Sequence, residues 1–257
     1  MSHYDRTKIS KGLKILTQER IKWIKGLHLK KNRSQEKCFF VEGRKMLQEA
    51  LEFAREQISC IVTTDAEMSI AFIESFDIFH CTQKQMSQIS YLTTPSDYFI
   101  VLNQATVDQS TGNEKILLLD GIQDPGNLGT IIRTCDWFGV KKIICSPETV
   151  EQYNPKVIQA TMGSIFRIQL FYTDLVDFVK NANLSFLLTG MNGESIHEKS
   201  EVLNNINGVV IGNEGRGISN ALREYIKDEI AIPKIGNSDS LNAAVSAGII
   251  LSYWTKK

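Results

Sequence analysis

Uninterrupted apolar runs alternate with helix-like segments through the second half of the chain. The apolar runs predict strands at Ile116–Asp120, Lys142–Cys145, Phe186–Thr189, Gly208–Ile211 and Glu229–Ile232. The segments between them predict helices at Leu128–Phe138, Pro155–Met162, Leu175–Asn181 and Asn242–Trp254. Strands that are apolar throughout are typical of a parallel sheet covered on both faces. The alternation therefore predicts a doubly wound α/β domain.

The first half carries a second, smaller pattern. Short apolar runs predict strands at Lys37–Val41, Ile58–Val62, Phe76–Phe79 and Tyr98–Leu102, with a helix at Arg44–Arg55 and a helical opening between Ile15 and Leu27. The segment Gln104–Glu114 is polar, rich in small residues and without helical periodicity, which is typical of a linker. We therefore expect a small α/β domain at 1–105, a linker at 106–114 and a larger α/β domain at 115–257.

Composition places the chain among soluble globular proteins. Its 257 residues are 42% hydrophobic and 23% charged, and no apolar run approaches the length of a membrane span. The N-terminal segment lacks the apolar stretch of a secretory signal. Five cysteines are scattered without a CxxC pair, which indicates buried free thiols in a reducing cytosol. The four histidines are isolated, so we expect no metal site, and we expect a cytoplasmic protein.

Charge is distributed unevenly although the net charge is zero. Residues 1–46 hold thirteen Lys and Arg against four acids, so the remainder is acidic by the same margin. This asymmetry indicates a polyanionic partner at the basic end. A solvated helix face rich in lysine explains the charge equally well. The polar stretch after the first predicted helix contains Lys30, Lys31 and Arg33, which we expect to be exposed and to contact the polyanion.

Three glycine-bearing segments lie where predicted strands end, at the edge where open α/β sheets bind ligands. They are Asn127–Thr134, Ile211–Ile218, and Ile232–Ile235 with Ser240–Val245. The dinucleotide fingerprint GxGxxG is absent after the first strand. The three segments are therefore the candidates for the chemistry of this domain.

Each segment has a structural and a functional interpretation. Asn127 is placed to cap the helix that follows it, and Ser240 is placed to cap the last helix, in whose first turn Asn242 would lie. Arg133, in the second turn of the predicted helix, by itself favours a surface ion pair over a catalytic role. Three glycines around Asn213 and Glu214 exceed what a tight turn needs, which favours a loop that binds a ligand through its backbone.

In this order and with these residues, the three segments resemble the signature motifs of the SpoU (TrmH-like) RNA ribose 2′-O-methyltransferases. The resemblance covers 115–257 and implies the trefoil-knotted fold of the SPOUT class, which periodicity cannot reveal. The segment FFVEGRKMLQEAL resembles, less specifically, the substrate-binding domain that precedes the catalytic domain in many such enzymes, a ribosomal-protein-type RNA-binding fold.

The resemblance implies methyl transfer from S-adenosylmethionine to a ribose 2′-hydroxyl of RNA, most often rRNA, by a homodimer that needs no metal and no membrane. It assigns Arg133, with Asn127, Glu214, Ser240 and Asn242, to catalysis. Because arginine stays protonated in water, we expect Arg133 to act as a cation that holds a phosphate and stabilises charge on oxygen. The cofactor-binding residues it implies are Thr189, Gly190, Gly212, Asn213, Glu214, Gly217, Ile232, Leu241, Asn242 and Ala243.

Alternative functions remain open at this stage. The same scaffold could methylate tRNA instead of rRNA, or a base instead of a ribose. A non-catalytic RNA-binding or assembly factor with the same fold is a third possibility, although the five polar motif residues are all present. The sequence does not name the RNA or the nucleotide.

Overall fold

The computed structural model describes residues 14–65, 76–199 and 203–256. Arg6, Lys8 and Lys11, three of the basic residues near the N-terminus, lie outside these ranges. The chain divides into two compact units, 1–105 and 106–257.

The first unit is a mixed sheet with helices. Its strands are β1 (Lys14–Ile15), β2 (Cys38–Glu42), β3 (Ile58–Thr63), β4 (Ile78–His80) and β5 (Tyr98–Asn103). Its helices are α1 (Gln18–Gly26), α2 (Lys30–Glu36), α3 (Arg44–Phe53) and α4 (Gln83–Ile89), with a 3₁₀ turn at Arg55–Gln57. The strand order is β1-β4-β3-β5-β2, in which β5 runs antiparallel to both β2 and β3 and the other pairs are parallel.

The core of this unit forms between α1, α4 and one face of the sheet. Phe40 and Phe99 stack there with ring centroids 4.9 Å apart, beside buried Ile24 and Met86. Trp23 packs against this cluster and donates its ring N–H to Glu36 Oε2 at 3.1 Å. The apolar pattern thus marks core positions correctly in this half.

Arg33 contradicts the expectation of exposure, since its residue surface is only 2% accessible. It lies in α2, a helix that the sequence pattern did not predict, and its guanidinium donates to the carbonyls of Leu27 at 2.8 Å and His28 at 2.9 Å. These carbonyls follow the end of α1 and need donors, which the buried Arg33 supplies. Lys30 and Lys31 are exposed as expected.

The second unit contains a six-stranded parallel sheet. Its strands are β6 (Ile116–Asp120), β7 (Lys142–Cys145), β8 (Gln169–Tyr172), β9 (Phe186–Ser195), β10 (Gly208–Gly212) and β11 (Glu229–Ala231). Its helices are α5 (Pro125–Phe138), α6 (Pro155–Thr161), α7 (Leu175–Asn181), α8 (Asn220–Tyr225) and α9 (Ala243–Trp254), with a 3₁₀ turn at Ser164–Phe166. The predicted α/β class with a parallel sheet is confirmed. The strand β8 and the helix α8 were not predicted.

The order of the strands in this sheet determines where a ligand can bind. The order is β11-β9-β10-β6-β7-β8, so the chain runs outward from β6 to β8 and then crosses to the other side, where β10 pairs with β6. The direction of winding reverses between β6 and β10, and ligands bind outside the carboxyl ends of strands at such a point. The first two glycine-bearing segments leave the sheet at the carboxyl ends of these two strands.

The predicted linker contains no regular helix or strand from Gln104 to Asn113. Its second part packs onto the larger unit: Val107 contacts the apolar cluster there, and the buried Lys142 pairs with Glu114 at 2.8 Å. The domain boundaries proposed from the sequence remain a prediction.

The five cysteines are all buried and free, as predicted. Burial raises the pKa of the Cys81 thiol to about 11 and also raises the pKa values of Cys135 and Cys145, so these thiols stay protonated and unreactive. Within the described ranges, no helix is long and apolar enough to cross a membrane. Those same ranges contain no group of three metal-binding side chains.

The N-terminus of α5 corrects the predicted cap. Helix α5 begins at Pro125, three residues earlier than expected, and its N-cap is Asp124, whose Oδ1 accepts from the backbone N–H of Asn127 at 2.8 Å. Asn127 is therefore inside the helix, and its side chain is available for other contacts.

Replacing Asp124 by alanine should lower the free energy of unfolding by about 1 kcal/mol, because the helix loses an accepting cap. Urea denaturation followed by circular dichroism measures the change. The Asp124→Asn variant keeps an accepting oxygen and should lose much less. Equal midpoints for the two variants would contradict the capping role.

Candidate functional site

A cavity of about 600 Å³ opens beside the middle of β9, the carboxyl end of β10 and the short strand β11. The loop after β10 and the segment from β11 to the start of α9 complete its walls. Nine of the ten predicted cofactor-binding residues line it: Thr189, Gly190, Gly212, Asn213, Glu214, Gly217, Ile232, Leu241 and Ala243. Asn242, the tenth, does not line it.

Two glycines of the loop after β10 are required by its geometry. A Cβ built on Gly212 would lie 2.5 Å from the carbonyl carbon of Gly217, and Gly217 itself has φ of +67°. Asn213 and Gly217 exchange two backbone hydrogen bonds, of 3.2 and 2.9 Å, which close the loop on itself. The two glycines therefore let the loop close on itself, and both lie in the wall of the cavity.

Asn213 uses its side chain to build the loop. Its Oδ1 accepts from the backbone N–H groups of Gly215 at 2.9 Å and Arg216 at 3.0 Å. Its Nδ2 donates to the carbonyl of Gly121, after β6, at 2.7 Å. A ligand in the cavity therefore meets a loop whose shape is already fixed.

One chain of side-chain hydrogen bonds joins all three glycine-bearing segments. Asn127, from the first segment, donates its Nδ2 to Glu214 Oε1 in the second segment. Asn242, from the third, donates its Nδ2 to Asn127 Oδ1 at 2.8 Å. Residues separated by 87 and 115 positions in sequence thus meet at one point. We call these three residues the amide–carboxylate chain.

The hydrogen bonds of the amide–carboxylate chain all run in one direction from donor to acceptor, from Asn242 through Asn127 to Glu214. An ionised Glu214 can only accept, so Asn127 presents its NH₂ group to the carboxylate and its oxygen to Asn242. Asn242 in turn presents its oxygen to the backbone N–H groups of Ala244 and Val245, at 2.9 and 3.3 Å. The amide orientations of both asparagines are determined by these fixed groups at the two ends.

The start of α9 differs from the prediction. Its N-cap is Asn242, not Ser240, because the oxygen of Asn242 accepts from the first N–H groups of the helix. Ser240 is exposed and lines the cavity, and its carbonyl accepts from the Ser238 hydroxyl at 3.0 Å. The hydroxyl of Ser240 is thus not used as a cap.

Arg133 lies apart from the other predicted catalytic residues. Since α5 begins at Pro125, Arg133 is in its third turn and not its second, on the exposed side of the helix. Among the residues that the structure describes, no hydrogen bond or ion pair to its guanidinium is found, and it does not line the cavity. Trp137, one turn further along α5, is 85% exposed.

The sequence analysis missed an ion pair in the wall of the cavity, outside the three glycine-bearing segments. Arg223 of α8 and Glu229 of β11 both line it and form an ion pair, with Nη1 and Oε2 2.8 Å apart. Glu229 stands directly before the apolar residues of β11, a position that could have marked it as a strand-end acid. The six-residue separation from Arg223 matches no helix or strand period, so the pair itself leaves no local signal.

A second, smaller cavity of about 370 Å³ lies across the loop after β10, against the carboxyl end of β6. Asp120, Glu148, Asp174 and Arg216 are its charged residues. Asp120 accepts from the backbone N–H of Ser219 at 2.8 Å, and Asp174 caps α7. Two of the three carboxylates therefore have structural partners.

Family models match both units. Residues 114–252 match the model of the SpoU rRNA Methylase family. Residues 18–99 match the model of an MRM3-like substrate binding domain.

Individual relatives cover nearly the whole chain. A 23S rRNA (guanosine(2553)-2′-O)-methyltransferase, RlmP, from Bacillus subtilis (strain 168) is 28% identical over 95% of this chain and 98% of its own length. A TrmH-family protein from Porphyromonas gingivalis superposes with a TM-score of 0.84 at 31% identity, over 94% of this chain and 98% of that one. The AdoMet-bound rRNA methyltransferase of Sinorhizobium meliloti superposes with a TM-score of 0.83 at 28% identity, over 95% and 97%.

Proposed function

Because this chain belongs to the SpoU rRNA methylase family, we propose that it methylates the ribose 2′-hydroxyl of a nucleotide in rRNA. It is an RNA 2′-O-methyltransferase that uses S-adenosylmethionine. The observation that supports the proposal most is the amide–carboxylate chain, which draws three motif segments together beside a cavity of about 600 Å³. The activity named for the Bacillus relative, which matches 95% of this chain, supports the rRNA substrate.

The cavity fits the cofactor chemically. The wall at Gly212 and Gly217 carries no side chains, so an adenine or a ribose can approach its backbone closely, and apolar Ile232 and Leu241 can cover the ring. When bound, S-adenosylmethionine supplies a methyl group on a positively charged sulfur, and the leaving thioether is neutral. The protein must therefore align the hydroxyl oxygen with the methyl carbon and the sulfur.

The catalytic roles divide between a cation and a scaffold. Arg133 is exposed and can hold a substrate phosphate while it stabilises negative charge that develops on the ribose oxygen. The amide–carboxylate chain holds the first and third motif segments against Glu214. Ser240, at the rim of the cavity, presents a hydroxyl that can orient the ribose.

Mapping ribose methylation across total RNA, with and without this protein, tests the proposal. We expect one rRNA position to lose its 2′-O-methyl group when the protein is absent. Loss confined to a tRNA position would replace rRNA by tRNA as the substrate. If no ribose position changes and calorimetry detects no binding of S-adenosylmethionine, the chain is an RNA-binding factor without this activity.

A homodimer is also part of the proposal. The last helix, α9, is apolar over most of its circumference, yet Val245 is half exposed, and α5 beside it exposes Trp137 at 85%. An exposed tryptophan next to an incompletely covered apolar helix is typical of an interaction surface. Contact through these helices would bring Arg133 of one subunit to the interface.

Light scattering at micromolar concentration should therefore give twice the mass of the 29.0 kDa chain. Replacing Trp137 by glutamate should shift the mass toward that of the monomer, because a charge would be buried in the interface. A monomeric mass for the unaltered protein would exclude the dimer.

The path of the C-terminal segment supports the proposed trefoil knot. After β11, at the edge of the sheet, the chain returns so that Asn242 bonds Asn127 and the Lys115 ammonium reaches the carbonyl of Trp254. The last helix thus ends near the start of β6, the first strand of its own unit. For the cellular location we propose the cytoplasm, which five free buried cysteines support.

For the first unit we propose RNA binding through Lys30 and Lys31, which are exposed at the start of α2. The match to a substrate-binding model supports this role. Arg33 is no longer part of the proposal, since its guanidinium is buried against backbone carbonyls.

A double Lys30→Ala, Lys31→Ala variant should show a weaker dependence of RNA affinity on salt. Each lost phosphate contact lowers the slope of log K against log salt by about 0.7 to 0.9. Filter binding across a salt series measures the slope, and the exposed Lys84→Ala serves as the control for removing a lysine elsewhere in the unit. An unchanged slope in the double variant would refute the assignment.

A further inference from the structure

The Arg223–Glu229 ion pair occupies one wall of the cofactor cavity, and the amide–carboxylate chain does not include it. Glu229 Oε2 receives Arg223 Nη1 at 2.8 Å, whereas Oε1 receives Nη2 at a long 3.4 Å. The Glu229 side chain is 18% exposed and that of Arg223 is 37% exposed. The carboxylate thus has one well-bonded oxygen and one oxygen with most of its accepting capacity left.

The neighbouring backbone is built around this carboxylate. A Cβ on Gly190 would lie 1.6 Å from Glu229 Oε1, so the carboxylate occupies the space that any other side chain at that position would fill. A Cβ on Gly193 would lie 2.6 Å from the carbonyl group of Glu229, so the two strands also press together here. Gly190 and Glu229 both face the cavity.

Oε1 of Glu229, the less well-bonded oxygen, favours a ligand group that donates a hydrogen bond. A carboxylate offers about four accepting positions, and Arg223 uses two of them. A neutral hydroxyl can donate to a remaining position without displacing the guanidinium. The ammonium of an amino acid would instead compete with Arg223 for the same charge. A sugar hydroxyl is therefore the group that this paired carboxylate accepts best.

We propose that Glu229 binds the ribose hydroxyls of the cofactor, and that Arg223 is a positioning residue that holds the carboxylate against Gly190. The inference rests on the proposed function, because it takes the cavity to be the S-adenosylmethionine site. It assigns the sugar of the cofactor to the β9–β11 wall.

The test compares adenosine with its 2′-deoxy and 3′-deoxy analogues, each measured by calorimetry against the full chain. S-adenosylhomocysteine must displace each ligand, which fixes the binding site. We expect the unaltered protein to bind adenosine about tenfold more tightly than at least one deoxy analogue, since a hydrogen bond to a charged group is lost. The Glu229→Gln variant should bind adenosine more weakly and should discriminate between the nucleosides much less.

A second variant covers the case in which Glu229→Gln fails to fold, judged by circular dichroism. Arg223→Lys keeps a cation beside Glu229 but loses the bidentate hydrogen bonding. It should partly reduce the discrimination between adenosine and its deoxy analogues. Equal discrimination in the unaltered protein and in a folded variant at Glu229 would overturn the inference, as would no discrimination in the unaltered protein. In both cases S-adenosylhomocysteine still binds. If it does not bind the unaltered protein, the proposed function itself fails.

Discussion

Replacing Arg133 by alanine should lower the rate of methyl transfer by about 100- to 1000-fold, the usual cost of removing one group that stabilises a developing oxyanion. Cofactor affinity and stability should stay unchanged. Arg133 is exposed and outside the cavity, and no partner for its guanidinium is found in the described part of the chain. Single-turnover assays on the rRNA substrate measure the rate, and calorimetry measures cofactor affinity.

Two further variants make this result specific. Arg133→Lys keeps the charge and should retain part of the rate if Arg133 acts as a cation. Lys156→Ala removes an exposed cation on the neighbouring helix α6 and should leave the rate unchanged. Transfer near the original rate in Arg133→Ala would remove this residue from the mechanism.

The Asn127→Asp variant should lower the rate of methyl transfer by about 10- to 150-fold at neutral pH. The substitution keeps the shape of the side chain but replaces the donor to Glu214 by a second carboxylate. A hydrogen bond to a charged group is worth about 1.5 to 3 kcal/mol, and two adjacent carboxylates repel each other. The motif segments should therefore separate at the point where they now meet.

The pH dependence of the variant distinguishes this cause from a general loss of fit. Repulsion raises the pKa of one of the two carboxyl groups, so that group takes up a proton as the pH falls and can then donate to the other. Part of the activity of Asn127→Asp, relative to the unaltered protein, should return at lower pH. Asn127→Ala removes both bonds and should show no such recovery. A pH profile shared by the two variants would contradict the explanation.

Sequence alone predicts the parallel sheet well, because β6, β7 and β10 are apolar on both faces and leave one interpretation. The strand β8 was missed since its four residues, QLFY, are short and partly polar. The helices α2 and α8 have seven and six residues with few apolar positions, too short for a helical period to be recognised.

Candidate site residues were found by resemblance and not by local pattern. The pattern could not show that Asn127 meets Asn242, because 115 residues separate them and only the folded sheet brings them together. It also assigned both caps wrongly: Asp124 replaces Asn127, and Asn242 replaces Ser240. In each helix several neighbouring residues can accept from the first N–H groups, so the backbone geometry decides which one does. The burial of Arg33 was not predicted, because charged side chains are usually exposed. Arg33 is an exception because its guanidinium donates to the backbone carbonyls of Leu27 and His28.

The hydrogen bond from Asn242 to Asn127 affects the order in which the site assembles as the polypeptide is synthesised. During synthesis the ribosome delivers Asn127 and Glu214 before the final helix, whose first N–H groups hold Asn242 in place. Until that helix has emerged and docked, the earlier motif segments lack the residue that links them to it. The contact that joins the first and third motif segments therefore forms only after that helix has docked.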